Sequence, residues 1–271
     1  QAGVHSGDSA CSLPPYSLSA EIQDELRRQT KLMAKGLNVC GLMNVQFAIQ
    51  GQGDAAVVYV LEVNPRASRT VPFVAKTIGK PVAKIAARVM AGEKLASFAL
   101  QEQKLGHVAV KEAVFPFARF PGVDTVLGPE MRSTGEVLGL GSTAGLAFFR
   151  AEEAANAALP TSGAVLLTFA ERDRGGEDPA TPGGQIVQAA RTFVAAGMTI
   201  RATGGTAQFL ARHGIESRTI LKIHEGRPNI EDAIISGEIQ LVVNTPSGTS
   251  SEHDDSYIRK AAIRARVTGC R

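Results

Sequence analysis

The sequence predicts an α/β chain in two parts: a mixed α+β portion, then an open parallel sheet with helices on both faces. Three observations carry this. From Ala164 onward, strand-like and helix-like segments alternate regularly, the pattern of parallel strands joined by helical crossovers. Earlier, two strand-like segments flank Gly51-Gln52-Gly53-Asp54, a connector of hairpin type. Between these regions, Leu159-Pro160-Thr161-Ser162-Gly163 reads as a linker and places the boundary near Pro160.

In the first part a helix is predicted over about residues 19–35. Ser19 can cap its start, Ile22, Leu26, Thr30, Met33 and Leu37 fall on one stripe, and Gly36 is the stop. Strands follow at 42–50 and 57–63. Pro81 opens a second helix in which Val82, Ile85, Ala86, Val89 and Met90 repeat at helical spacing, and Gly92 punctuates its end. Residues 107–115 read as a strand and 142–158 as a helix. In the second part, strands are expected at 164–169, 198–202, 217–221 and 239–243. Helices are expected at 184–196, 206–213, 229–236 and from about 256 onward.

Composition bounds the function. The 271 residues are 44% hydrophobic and 20% charged, enough apolar material for one large domain or two smaller ones. Lys and Arg total 29 against 26 Asp and Glu, a formal net charge of +3, too balanced for a general nucleic-acid binder. No apolar run reaches the roughly 20 residues needed to span a bilayer, and no signal pattern opens the chain. Cys11, Cys40 and Cys270 are far apart and in no C-x-x-C spacing, so a cytoplasmic setting without disulfides or zinc is expected. A start at Gln1 and an end at Arg271 without a clear terminal element raise the expectation of a fragment.

One constellation carries chemistry in the first part. Glu62 and Asn64 are two apart on a strand and share a face, with Leu61 and Val63 left for the core. On the preceding strand Val45, Phe47 and Ile49 form the apolar set, and a hairpin centred near Gly53 brings Gln46 across from Glu62. A carboxylate between two amide oxygens is a hard donor set suited to Mg²⁺ shared with phosphates. Arg66 and Arg69 follow and can neutralise a transferring phosphoryl group. By spacing alone, an amphipathic hairpin with a solvated polar face is an equal alternative.

The segments Gly3-Val4-His5-Ser6-Gly7-Asp8-Ser9, Met43-Asn44-Val45-Gln46-Phe47-Ala48 and Glu62-Val63-Asn64-Pro65-Arg66-Ala67-Ser68-Arg69-Thr70 resemble the second ATP-grasp unit of the carbamoyl phosphate synthetase large chain. Leu127-Gly128-Pro129-Glu130-Met131-Arg132-Ser133-Thr134-Gly135-Glu136-Val137 extends the likeness, which covers nearly the whole chain. The resemblance implies a partial ATP-grasp (α+β) subdomain over 1–159, then a Rossmann-like parallel-sheet methylglyoxal synthase-like domain over 160–271. It implies ATP as substrate, phosphorylation of carbamate, and a role in arginine and pyrimidine biosynthesis. Gln46, Glu62 and Asn64 resemble ligands of two Mg²⁺ or Mn²⁺ ions, with Glu62 bridging. Gly3, Val4, His5 and Ser6 resemble nucleotide-lining residues, joined by Gln46 and Glu62, while Arg66 resembles the arginine that meets the phosphates. Asp8 and Glu112 resemble acids that bind the activator ornithine. The implied partners are a glutaminase small subunit and the remaining N-terminal part of the large chain. With the lid and first ATP-grasp unit absent, the chain alone is expected not to turn over.

In the second part, Ile200-Arg201-Ala202-Thr203-Gly204-Gly205-Thr206 runs from strand through a glycine turn into helix, a junction where an anion can sit. A tight turn alone is the simpler reading of T-G-G-T. Lys222 with His224-Glu225-Gly226-Arg227-Pro228, and Asn244-Thr245-Pro246-Ser247-Gly248, lie at two further strand ends, where ligands of open parallel sheets sit. This half resembles the methylglyoxal synthase-like regulatory domain of the same large chain. By that resemblance Thr203, Thr206, Lys222 and Asn244 match positions binding uridine and inosine monophosphates, and Arg174 stands where a lysine is usual. Pro246 replaces a common threonine and offers neither hydroxyl nor N–H. The family pattern is expected to continue past Val267. A non-catalytic nucleotide-sensing module, or a methylglyoxal synthase-like lyase, are the alternatives; the metal hairpin and the long match before Pro160 weigh against the lyase.

Overall fold

The computed structural model describes residues 4–51, 53–102, 104–120, 123, 125–176, 178–245 and 248–270. The chain packs as two compact units, residues 1–114 with 127–156, and residues 115–126 with 157–271.

In the first unit, β1 (Cys11–Leu13) precedes α1 (Ala20–Gly36), whose start is capped by Ser19 Oγ accepting from Ile22 N–H at 3.4 Å. The helix runs through Gly36 rather than stopping at it: Leu37 caps it and Asn38 takes the positive φ, 50°. The predicted stripe is only half-buried and Leu37 is exposed. The hairpin follows as β2 (Asn44–Gln50) and β3 (Val57–Asn64), then α2 (Thr70–Ile78) and α3 (Val82–Met90). Finally β4 (Val108–Val114) pairs with β5 (Gly135–Gly141), and α4 (Ala144–Ala154) packs across them. β1, β4 and β5 form an antiparallel sheet, while β2 and β3 form a separate two-stranded one.

The close seat of α4 comes from small residues. Val110, Ala147 and Ala151 are buried together, and a side chain on Gly139 would meet the Ala147 carbonyl oxygen and Ala151 nitrogen at 2.1 and 2.5 Å. α1, α4 and the hairpin were legible from periodicity. β1, α2 and β5 were not: β1 is three residues long, and β5 reads GEVLGLG, whose glycines break the alternation a strand usually shows.

The second unit alternates as predicted: β6 (Ala164–Thr168), α5 (Pro182–Ala195), β7 (Thr199–Thr203), α6 (Gly204–Arg212), β8 (Arg218–Ile220), α7 (Ile230–Ile235), β9 (Leu241–Asn244), α8 (Gly248–Ala265) and β10 (Thr268–Cys270). Its five strands are all parallel in the order β10-β9-β6-β7-β8. One face buries Val165, Leu167, Ile200 and Ala202 against Ile186, Ala190, Phe209 and Leu210; the other buries Leu166 and Val242 against Ile230, Ile234, Ile258 and Ala261. Strands buried on both faces read as continuous apolar runs, as Ala-Val-Leu-Leu in β6 does. Three of the helices start earlier than predicted. Thr181 caps α5 through Gly184 N–H, α6 begins at Gly204, and α8 begins at Gly248 rather than near 256. β10 was not anticipated. Among the described residues, no helix is long and apolar enough to cross a membrane.

Candidate functional sites

The hairpin register brings the first constellation together. Gln46 lies opposite Glu62 and Asn44 opposite Asn64, with the register shifting just beyond, where Phe47 faces Val60. Leu61 is therefore bulged, and it is 56% exposed. The expectation that Leu61 serves the core is corrected. Val57, Tyr59 and Val60 are exposed as well, because β2 and β3 pair only with each other among the described residues. Bulges re-aim side chains beside functional sites, and this one follows directly on Glu62.

Glu62 is exposed and has no cationic partner among the described residues; its Oε1 accepts from Asn64 Nδ2 at 2.9 Å. The donor set suits a hard cation: one carboxylate and two amides, all with oxygen available once the Asn64 amide turns its Oδ1 inward. Arg66 and Arg69 sit in the exposed turn after β3. Arg66 Nη1 donates to the Ala67 carbonyl at 3.0 Å, and Arg69 is the residue before α2. Both guanidiniums follow the acid within a few residues and remain in solvent.

Gly3 lies outside the described residues. Val4, His5 and Ser6 form a loop entering a short 3-10 turn, Ser6–Asp8. His5 Nδ1 accepts from Gly7 N–H at 3.0 Å. Asp8 is 4% exposed. Its two oxygens accept from Arg132 N–H (2.8 Å) and Ser133 N–H (2.9 Å). Burial pushes its pKa up, but hydrogen bonds from the Ser133 hydroxyl and those two N–H groups, with His5 nearby, bring it net below the ordinary carboxylate value.

Glu112, the other acid matched to an activator site, is half-buried on β4 with different neighbours. Burial raises its pKa. Glu152 on α4, which sequence reasoning missed, is pushed up to about 7 by burial and by the Glu112 charge. Between 4.5 and about 7 the folded chain holds a proton that the unfolded chain has lost, so stability falls as pH rises through that window. Glu152→Gln is expected to stabilise the first unit by about 1–2 kcal/mol near pH 8.5, after allowing for solvent screening, and negligibly near pH 4. Urea unfolding at the two pH values measures the difference.

In the second unit the predicted residues meet at the carboxyl edge of the sheet. Thr203 ends β7 and Asn244 ends β9, which pairs beside Thr168 at the end of β6. Thr203 and Thr206 are 3% and 1% exposed. Their hydroxyls lie 3.4 Å apart, and Thr203 Oγ1 donates to Thr168 Oγ1 at 3.2 Å. Thr203 is thus the α6 N-cap residue without capping it through its side chain, which leaves first-turn N–H groups for another acceptor. Arg174 lies across this turn, with Nη1 donating to the Gly205 carbonyl at 2.5 Å. Lys222 is half-buried just beyond β8, where its N–H donates to Glu225 at 2.8 Å. Pro246 falls outside the described residues. Thr168 was missed, and Thr245 was read only as part of the loop after β9. Thr206 Oγ1 accepts from Phe169 N–H and Thr245 Oγ1 from Ala170 N–H, both at 3.0 Å, so these hydroxyls build the edge. The signal for Thr168 was its place as the last residue of an apolar strand.

Residues 1–98 match the family model described as "Carbamoyl-phosphate synthase L chain, ATP binding domain", and residues 185–270 match "MGS-like domain". The carbamoyl phosphate synthase large chain of Pasteurella multocida (strain Pm70) is 55% identical over 269 residues, covering 98% of this chain and 24% of that one. That of Rhizobium meliloti (strain 1021) is 52% identical over 273 residues, covering 98% and 22%. Among solved structures, the biotin carboxylase domain of a single-chain bacterial carboxylase has 21% identity and a TM-score of 0.40, over 55% of this chain and 39% of that one. The chain spans about a quarter of the length of the curated relatives it matches. With both family models matched in turn and more than half its residues identical to such a relative along almost its whole length, the chain belongs to the carbamoyl phosphate synthase large-chain family.

Proposed function

We propose that residues 1–159 supply the metal- and nucleotide-binding part of an ATP-grasp site that phosphorylates carbamate, and that residues 160–271 form a nucleotide-binding regulatory domain. The observation that carries the first half is the exposed Glu62 carboxylate set opposite Gln46 and beside Asn64, whose amide donates to it. Gln46, Glu62 and Asn64 would hold Mg²⁺ or Mn²⁺, which supplies charge neutralisation between the phosphates of ATP. Arg66 and Arg69 stabilise charge on the transferring group, and Val4, His5 and Ser6 line the nucleotide. The activity belongs to the complete large chain with its glutaminase small subunit, in the cytoplasm, serving arginine and pyrimidine biosynthesis. The present chain alone does not turn over, since catalysis here depends on positioning groups it lacks. The test is the reverse partial reaction, ADP phosphorylation by carbamoyl phosphate, in the complete large chain carrying Glu62→Gln.

The second half is supported by the buried hydroxyls of Thr203 and Thr206 at an α6 N-terminus that Thr203 does not cap through its side chain. Uridine and inosine monophosphates are the ligands, with Arg174, Lys222 and Asn244 around the phosphate. Calorimetric titration of the chain with each nucleotide is expected to saturate. Lys222→Ala is expected to weaken binding about tenfold or more, the loss of one charge-assisted phosphate contact. Equal binding by the variant overturns the placement of Lys222. No binding by the parent chain overturns the effector reading.

A further inference from the structure

Besides the crossing after Asn156, the chain passes between its two units at two further places. Residues 115–126 leave the first unit after Val114, pack with the second, and return at Leu127. Within this excursion Phe117–Arg119 forms a single 3-10 turn that packs against α8. The half-buried Phe115 and Phe117 rings stack, with centroids 5.0 Å apart and planes 3° from parallel. Arg119 N–H and Phe120 N–H donate to the Pro116 and Phe117 carbonyls at 2.9 and 3.1 Å, so the turn is a compact body and not a slack connector.

Both of its neighbours are rigid and lead somewhere. α8 starts at Gly248, just past Asn244 at the sheet edge assigned to the nucleotide phosphate, and Ile258 and Ala261 fix its later turns in the core. A helix of that length, about 27 Å, moves as a rod when one end is displaced. On the other side, Val114 ends β4 opposite Gly135 of β5, and its carbonyl accepts from Thr134 N–H at 3.0 Å. β4 is the central strand of its sheet, and its other neighbour, β1, follows the loop of Val4, His5 and Ser6.

We propose that residues 115–126 are a mechanical relay: a nucleotide that displaces the start of α8 moves the turn at 117–119, which pulls on β4 and, through β1, on the loop that lines ATP. This rests on the nucleotide reading of the second unit and on the ATP reading of Val4, His5 and Ser6. Coupling of this kind passes through packed elements and needs no contact between the two ligands.

In the complete large chain, uridine or inosine monophosphate is expected to shift KM for ATP about fivefold or more. Phe117→Ala is expected to cut that shift below about twofold, while nucleotide affinity and the rate without nucleotide stay within about twofold, since Phe117 belongs to neither site. Inserting Gly-Gly between Val114 and Phe115 keeps the ladder and the turn, slackens only their connection, and is expected to do the same. Amide exchange on the present chain reads the relay without activity. Nucleotide is expected to slow exchange at Arg119, Phe120 and Thr134 about threefold or more, and the insertion to keep the slowing at Arg119 and Phe120 but abolish it at Thr134. An insertion variant that retains the full KM shift, or a parent that binds nucleotide with KM unmoved, overturns the relay and leaves the effector reading standing. A Phe117→Ala chain that loses nucleotide affinity makes the excursion part of the binding site and overturns the relay. A parent that binds neither nucleotide overturns the effector reading itself, and the relay with it.

Discussion

Replacing Glu62 by glutamine is expected to lower carbamoyl phosphate formation by the complete large chain at least about a thousandfold, a loss of about 4 kcal/mol of transition-state stabilisation. The substitution conserves shape and removes one charge. The charge matters because Gln46 and Asn64 contribute only neutral oxygens to the same hairpin face. Without the carboxylate, nothing there offsets a divalent ion placed between phosphates. Stability is expected to be unaffected, since Glu62 is exposed and its one hydrogen bond, from Asn64, can be accepted by the glutamine oxygen. Gln50→Ala is the control: it lies at the far end of the same hairpin, on β2, where Gln50 Oε1 accepts from Tyr59 O–H at 3.2 Å. Steady-state assays of both variants decide the matter. Activity of Glu62→Gln within tenfold of the parent would make the hairpin a solvated structural element.

Gly139→Ala is expected to destabilise the first unit by about 3 kcal/mol or more, the upper range for overpacking. The added methyl would sit 2.1 Å from the Ala147 carbonyl oxygen and 2.5 Å from the Ala151 nitrogen. Both are backbone atoms of α4, so no side chain can move aside and the helix must lift from the sheet. Lifting it uncovers Val110, which packs there with Ala147 and Ala151. Gly135→Ala on the same strand meets nothing within 4 Å and is expected to be near neutral. Urea unfolding followed by amide signals from each unit separates the two outcomes. A shift in the first unit alone supports the packing account, and equal behaviour of the two variants refutes it.

Local patterns made part of this legible. The two-residue period of a strand and the glycine-rich connector were enough to set Gln46 across from Glu62. They could not reveal the bulge at Leu61, or the exposure of Val57, Tyr59, Val60 and Leu61, which depends on what else covers the hairpin. Asp8 reads in sequence as an ordinary surface acid. Its burial follows from partners 124 and 125 residues away, and no local rule reaches that far. Glu152 escaped for the same reason, since its neighbour Glu112 lies on another element.

The sequence by itself determined which segments become helix or strand across most of the second unit, the facing of Gln46 and Glu62, and the strand-to-helix junction between Thr203 and Thr206. These depend on interactions a few residues apart, where periodicity, capping and glycine conformation act directly. Only the tertiary structure decided the strand order β10-β9-β6-β7-β8, the gathering of Thr168, Thr203, Thr206 and Asn244 on one edge, and the hydrogen bonds from Arg132 and Ser133 N–H to Asp8. Each of those joins residues far apart in the chain, and burial and hydrogen-bond satisfaction choose among such pairings only when the whole unit packs.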